Sequence, residues 1–263
     1  MLSTTASYLA VSNNLSRMQA ATAAEPQVKT ATAYFLANIG KVTSISDFVN
    51  NYQLFSYAMT AFGLGDMTYA KGMMTQVLQG GVTSPKALAN TLSNPAYKAF
   101  ATAFDFVGKG AATTQTAAAT TDVVNQYVEQ SLESAQGQQN QGVQLALYFT
   151  RTAPSVTNVY GLLADPSLLK VVQTAFGIPA SATENIDTEA ASLSKQISIA
   201  DLQDPKKVQA IAERFTAMWD INGNHTSSNA SSGVTQIFAA SSTTTSFSTS
   251  LLLSLQGLKL GGM

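Results

Sequence analysis

YFLANIGKVTSISDFVNNYQLFSYAMTAFGL, residues 34–64, is written a second time as YFTRTAPSVTNVYGLLADPSLLKVVQTAFGI, residues 148–178. A shift of 114 positions aligns the two stretches without a gap. Nine of the 31 pairs are identical: Tyr34, Phe35, Val42, Thr43, Leu54, Thr60, Ala61, Phe62 and Gly63 each meet their own kind. Others exchange one apolar residue for another, as Ile45 does with Val159 and Phe48 with Leu162. The pattern inside each stretch is helical. Asp165-Pro166 signals a helix start, because Asp accepts bonds from free N–H groups and Pro lacks the N–H that a first helical residue leaves unpaired. Asn51 holds the Asp165 position in the first stretch, where Asn50-Asn51-Tyr52 replaces Ala164-Asp165-Pro166. Leu54, Phe55, Ala58, Met59 and Phe62 then recur at helical spacing, as do Leu168, Leu169, Val172 and Phe176. Gly63 and Gly177 follow at once, where a left-handed residue ends a helix without steric cost.

Working outward, Tyr8, Val11, Leu15 and Met18 predict one helix over residues 7–22 with Ser7 as its cap, ending before Pro26. A second helix from Gln27 carries Val28, Ala31, Tyr34 and Phe35 and stops at Gly40. Met67, Ala70, Met74, Val77 and Leu78 mark a Met-rich helix, matched after the second stretch by Ile186, Ala190 and Leu193. Ser84-Pro85, Asn94-Pro95 and Asp204-Pro205 each read as a cap followed by a first helical residue. The last helices end alike, Phe104-Asp105-Phe106 against Trp219-Asp220-Ile221, and the second is longer by about one turn. Between the stretches a helix from Asp122 leads to AQGQQNQG at residues 135–142, where Gly137 or Gly142 predicts a break. After Ile221 the composition changes: fifteen of the 25 residues 226–250 are Ser or Thr, and the chain finishes with Leu251, Leu252, Leu253, Leu255, Leu258 and Leu260.

These signals predict an all-α fold of two tandem related helical units, an internal duplication. An N-terminal helix (1–24) precedes a first unit (25–108), a connector (109–135), a second unit (136–221) and a flexible Ser/Thr-rich tail with an apolar end (222–263). The composition narrows the function. Hydrophobic residues make up 45% but charged ones only 11%, and the net charge is −1, so phosphate neutralisation has no basic field to drive it and no nucleic-acid partner is expected. With no Cys there is no thiolate nucleophile, disulfide or Cys-bound zinc. No apolar run approaches the length of a membrane span, and MLSTTASYLAV has neither the basic nor the long apolar region of a cleaved signal, so the chain is expected to be made in the cytoplasm.

Chemical motifs are scarce. His225 is the single histidine and stands among NGNHTSSN without an acidic cluster. Glu129 and Glu133 lie four apart on a helix and read as a solvent face. Gly63-x-Gly65 and Gly108-Lys109-Gly110 lack a nucleotide loop's spacing, and Lys206-Lys207 near Arg214 reads as helix solvation. No catalytic, cofactor-binding or metal-binding residue is assigned, and no cofactor is expected.

The stretches EPQVKTATAYFLANIGKVTSISDFVNNYQLFSYAMTAFGL, QGVQLALYFTRTAPSVTNVYGLLADPSLLKVVQTAFGIP and VQAIAERFTAMWDI resemble a bacterial family of helical domains of unknown function. That family commonly occurs duplicated in one chain, and its genes are often found among flagellar motility genes. The resemblance runs from near Glu25 to Ile221 and implies flagellar association, with protein partners that are flagellar components or further copies of the chain. It carries over no catalytic residue. The expected function is a non-enzymatic structural or assembly protein acting through protein–protein contacts. The alternative is a ligand-binding or enzymatic helical domain with a site between the two units, which convergent polar residues such as Arg151, Asp165 or Arg214 would favour.

Overall fold

A side-chain oxygen placed just ahead of a helix satisfies N–H groups that the helix leaves unpaired, and this chain starts most of its helices that way. The computed structural model describes residues 2–179 and 185–223, and every regular element among them is helical. The segment from 224 onward, with His225 and the terminal leucines, lies outside the described residues. The helices are α1 (Thr4–Ser12), α2 (Leu15–Ala24), α3 (Pro26–Ile39), α4 (Ile45–Asn50), α5 (Tyr52–Ala61), α6 (Lys71–Gly80), α7 (Leu88–Thr91), α8 (Pro95–Ala103) and α9 (Phe106–Lys109). Short 3-10 turns lead to α10 (Thr121–Gln139), followed by α11 (Gln141–Thr152), α12 (Val159–Leu163), α13 (Pro166–Phe176), α14 (Ile186–Gln196), α15 (Ile199–Leu202) and α16 (Pro205–Ile221).

Positions 114 apart do the same physical work. Ser44 caps α4 by accepting from the Asp47 N–H at 3.1 Å, and Asn158 caps α12 by accepting from Gly161 at 2.8 Å. Asn51 accepts from the Leu54 N–H at 3.2 Å; Asp165 accepts from Ser167 and Leu168 at 2.9 and 3.0 Å. Gly63 and Gly177 both take a positive φ, 72° and 67°, which a side chain would strain. That turn lets the Leu64 N–H reach the Met59 carbonyl and the Ile178 N–H reach the Gln173 carbonyl, each at 2.8 Å. Phe35 and Phe149, Phe48 and Leu162, and Leu54 and Leu168 are all buried.

Two hydrophobic cores result. In the first, Phe48 of α4 meets Phe55, Phe100, Phe104 and Phe106, with ring centroids 4.5–6.1 Å apart. The second gathers Phe149, Leu168, Val172, Leu202, Phe215 and Trp219. The 19-residue α10 serves both, giving Val123 to the first and Leu132 to the second. The N-terminal helix closes on the second core: Tyr8 and Val11 are buried there, and the Tyr8 hydroxyl lies 3.0 Å from Thr150 Oγ1.

Several expectations need correction. The single helix over 7–22 is two helices, and its cap is Ser3 rather than Ser7. The Asn14 side chain donates to the Ala10 carbonyl at 2.9 Å, offering the backbone an alternative to continuing. Leu15, expected on the apolar stripe, is 40% exposed. Gly40 does end α3, with an ordinary right-handed φ of −65°, whereas Ser84-Pro85 makes a turn, with the next helix beginning only at Leu88. The chain breaks at neither Gly137 nor Gly142. Helix α10 runs through Gly137, where a Cβ would collide with the Gln144 side chain, and the break is at Asn140. Asn140 adopts extended backbone and caps α11 by accepting from Gly142 at 2.8 Å. A Cβ on Gly142 would lie 2.7 Å from Thr4 and Trp219, so both glycines serve close packing. Helix α16 has 17 residues against nine in α8, an excess of about two turns rather than one, and that length has a use: Asp220 accepts from the Thr4 and Thr5 N–H groups at 3.1 and 3.4 Å, fastening α1. In the first half, Asp105 instead starts α9 by accepting from Gly108 at 2.8 Å.

Phe176 is only partly buried, with the Arg214 guanidinium 4.9 Å from its ring centre, whereas Phe48 is fully enclosed. Replacing Phe48 by Ala is expected to cost about 3–5 kcal/mol in chemical denaturation, and Phe176→Ala clearly less. Equal losses would contradict this division of the core.

Candidate functional site

Helix α10 lies against α5 of the first half and α11 of the second, so residues from both halves face one another beside it. A groove of about 700 Å³ runs there, lined by Phe62, Lys98 and Thr102 from the first half, Glu129 from α10, and Tyr148 and Arg151 from α11. Tyr148 and Arg151 share a face of α11 because they are three residues apart. The guanidinium carbon sits 5.3 Å from the Tyr148 ring centre.

Two sets of polar contacts at this seam tie α11 to α10 and to the start of α13. Arg151 donates from Nε to Glu133 Oε1 at 2.6 Å and from Nη2 to Glu133 Oε2 at 2.9 Å, and Nη2 also reaches Gln130 Oε1 at 2.9 Å. This forked contact joins α11 to α10. Tyr148 then donates its hydroxyl to Asp165 Oδ2 at 2.6 Å, while the other carboxylate oxygen caps α13. Glu133 is only 3% exposed. Burial pushes its carboxyl up, and the bonds to Arg151 pull it back only in part. On Arg151 burial acts downward, but the Glu133 carboxylate outweighs it and the guanidinium is held more firmly protonated. Burial and then the Asp165 carboxylate raise the Tyr148 hydroxyl far above its ordinary value.

The solvent-face reading of Glu129 and Glu133 is therefore corrected: Glu133 is a buried ion-pair partner, and Glu129 accepts from Gln19 of α2 at 2.9 Å. Hydrophilic residues on a helix say nothing of a cation brought back by the next helix. The available signal is spacing, since a turn near residues 140–142 places 133 and 151 level on an antiparallel pair. Of the three polar residues expected to converge, Arg151 lines the groove, Asp165 stands behind Tyr148, and Arg214 covers Phe176 outside the groove's lining. Lys207 pairs with Asp201 at the surface. Among the described residues no group of three or more His, Asp or Glu is placed to hold a metal ion, and no helix is long and apolar enough to cross a membrane.

A family model described as "Protein of unknown function (DUF1217)" matches residues 61–208. The crystal structure of protein AGR_C_984 from Agrobacterium tumefaciens is 40% identical to this chain. The match covers 84% of this chain and 97% of that one, with a TM-score of 0.78. A search of the curated proteins finds no match.

Removing one partner of a buried ion pair strands the other. Arg151→Ala is accordingly expected to cost about 3–5 kcal/mol, and the double replacement Arg151→Met with Glu133→Leu less than that single change. Additive losses in a denaturation cycle would show the pair to be solvated. Alkali gives a second check. Because the folded-state hydroxyl of Tyr148 ionises above its unfolded value of 10.0, its contribution is complete below that value and is lost as pH rises beyond it. Between about pH 10 and 12 the Tyr148→Phe variant should lose stability less steeply than the parent chain; parallel pH profiles would contradict the assignment.

Proposed function

Because the chain belongs to the DUF1217 family, whose description leaves function open, we propose from its own surface that it is a non-enzymatic structural or assembly protein acting through protein–protein contacts in bacterial flagellar motility. The observation that carries the contact role is the set of large apolar side chains left in solvent on a chain with few charges. Leu36, Tyr52, Tyr69, Val107, Ile186 and Ile221 are all about half exposed or more, and only 11% of residues are charged. Such a surface repels other proteins weakly and gains by covering those side chains. The buried charges at the seam meanwhile hold helices together. The flagellar setting rests on the sequence resemblance alone, and it makes the partners flagellar components or further copies of the chain. The two halves descend from one duplicated unit in this reading, supported by the paired caps and glycine stops 114 residues apart.

A second reading, a ligand site between the halves, is favoured by one observation: the groove of about 700 Å³ with Arg151 and Lys98 in its lining. One experiment addresses both. Deleting the gene in the native cell should reduce swimming, and complementation with Thr102→Trp, which obstructs the groove, should restore it. Normal swimming and normal flagella in the deletion strain would count against the flagellar role. Failure of a folded Thr102→Trp protein to complement would favour the ligand reading.

A further inference from the structure

The first stretch departs from the second at Asn51 and Tyr52, and the structure shows a consequence. A groove of about 640 Å³ opens between α3 and α5, lined by Tyr34, Tyr52 and Tyr127 with Gln27, Gln53 and Ser56 among its polar groups. None of the residues lining it carries a charge. The ring of Tyr57 forms a wall rather than a platform, because Phe35 and Tyr127 stack against it at 4.4 and 3.8 Å. Tyr52 is different: it stands at the first position of α5, where Pro166 serves the second half, and it is 61% exposed. Its ring adds nothing to the helix start. The Tyr34 hydroxyl is also free to exchange partners, since its contacts with Asn51 are long, 3.5 and 3.4 Å, against 2.6 Å for Tyr148 with Asp165. At the positions 114 further on, Asp165 and Lys170 stand in place of Asn51 and Ser56. The first half is the neutral version.

We infer that the α3–α5 groove binds a short neutral glycan. A sugar ring offers C–H faces to aromatic rings and a rim of hydroxyls that need both donors and acceptors. Tyrosine rings supply the first, and glutamine amides with serine and tyrosine hydroxyls supply the second. A charged sugar would lose water here without gaining a counter-charge. A proline-rich peptide also suits aromatic grooves, but it brings carbonyl acceptors and few donors, leaving the groove's own acceptors unpaired. The volume lies in the range of small-ligand clefts.

The test is titration of the full chain with cellotriose, maltotriose and chitotriose, with trigalacturonate and decaproline as controls, read by ligand-observed NMR. At least one neutral trisaccharide should bind and trigalacturonate should not. Tyr52→Ala should weaken binding about tenfold, the scale of one lost aromatic contact. Ser56→Lys, which puts a charge where position 170 has one, should abolish binding while circular dichroism stays unchanged. Tyr69→Ala, 78% exposed and outside the groove, should bind as the parent does. Binding by none of the three neutral sugars, equal binding of the acidic one, binding of decaproline alone, or full affinity in Tyr52→Ala would each overturn the inference.

Discussion

One helix, α10, belongs to two hydrophobic cores, and most of the arrangement depends on that sharing. Its first turns bury Val123 with the phenylalanines of the first half, and its later turns bury Leu132 with the second. A helix is stiff over 19 residues, so fixing one end in one core fixes the direction of the other. The reversal at Asn140 then lays α11 back along it. The fork from Arg151 to Glu133 holds that return at a defined height, because a guanidinium meets a carboxylate in a plane with two bonds at once. Beside Gly137 the Gln144 side chain of α11 packs where a Cβ would stand.

The ends of the chain are tied to the same seam. Helix α1 sits on α11 and α16, with Asp220 at its first N–H groups and Asn140 donating to Thr4 at 2.9 Å. An N-terminal segment thereby completes the core built by the C-terminal helices. This is why the length by which α16 exceeds α8 matters: its last turn carries Asp220, the carboxylate that reaches the start of α1. Among the described residues no such helix closes the α3–α5 face of the first half, and there the tyrosine groove remains.

The paired Tyr34–Asn51 and Tyr148–Asp165 contacts show how one geometry takes two chemical characters. Both join a helix to the start of the next but one. With a carboxylate the contact is short, and the Tyr148 ring lies beside the Arg151 guanidinium of the buried ion pair. With an amide it is long and neutral, and the neighbouring residues are uncharged. Caps and glycine stops recur 114 residues apart, and the side chains make one contact short and charged and the other long and neutral.

Local features were legible in the amino-acid sequence. The caps at Asn51, Asn94, Asp165 and Asp204, the stops at Gly63 and Gly177, and the buried positions Phe35, Phe48, Leu54 and Met74 follow from spacing and residue type. Each depends on groups within a few residues, and such information is written in order along the chain. The burial of Glu133, the passage of α10 through Gly137, the docking of α1 on the second core and the opening of the α3–α5 groove depend on which distant surface arrives. The same glutamate is a solvated charge or half of a buried pair according to whether Arg151 meets it, and the same glycine is a break or a point of close contact according to whether Gln144 lies above it. The sequence by itself determined an all-helical chain with matched starts and stops. Only the tertiary structure decided how its helices pair, because pairing is set by contacts between residues far apart in the chain.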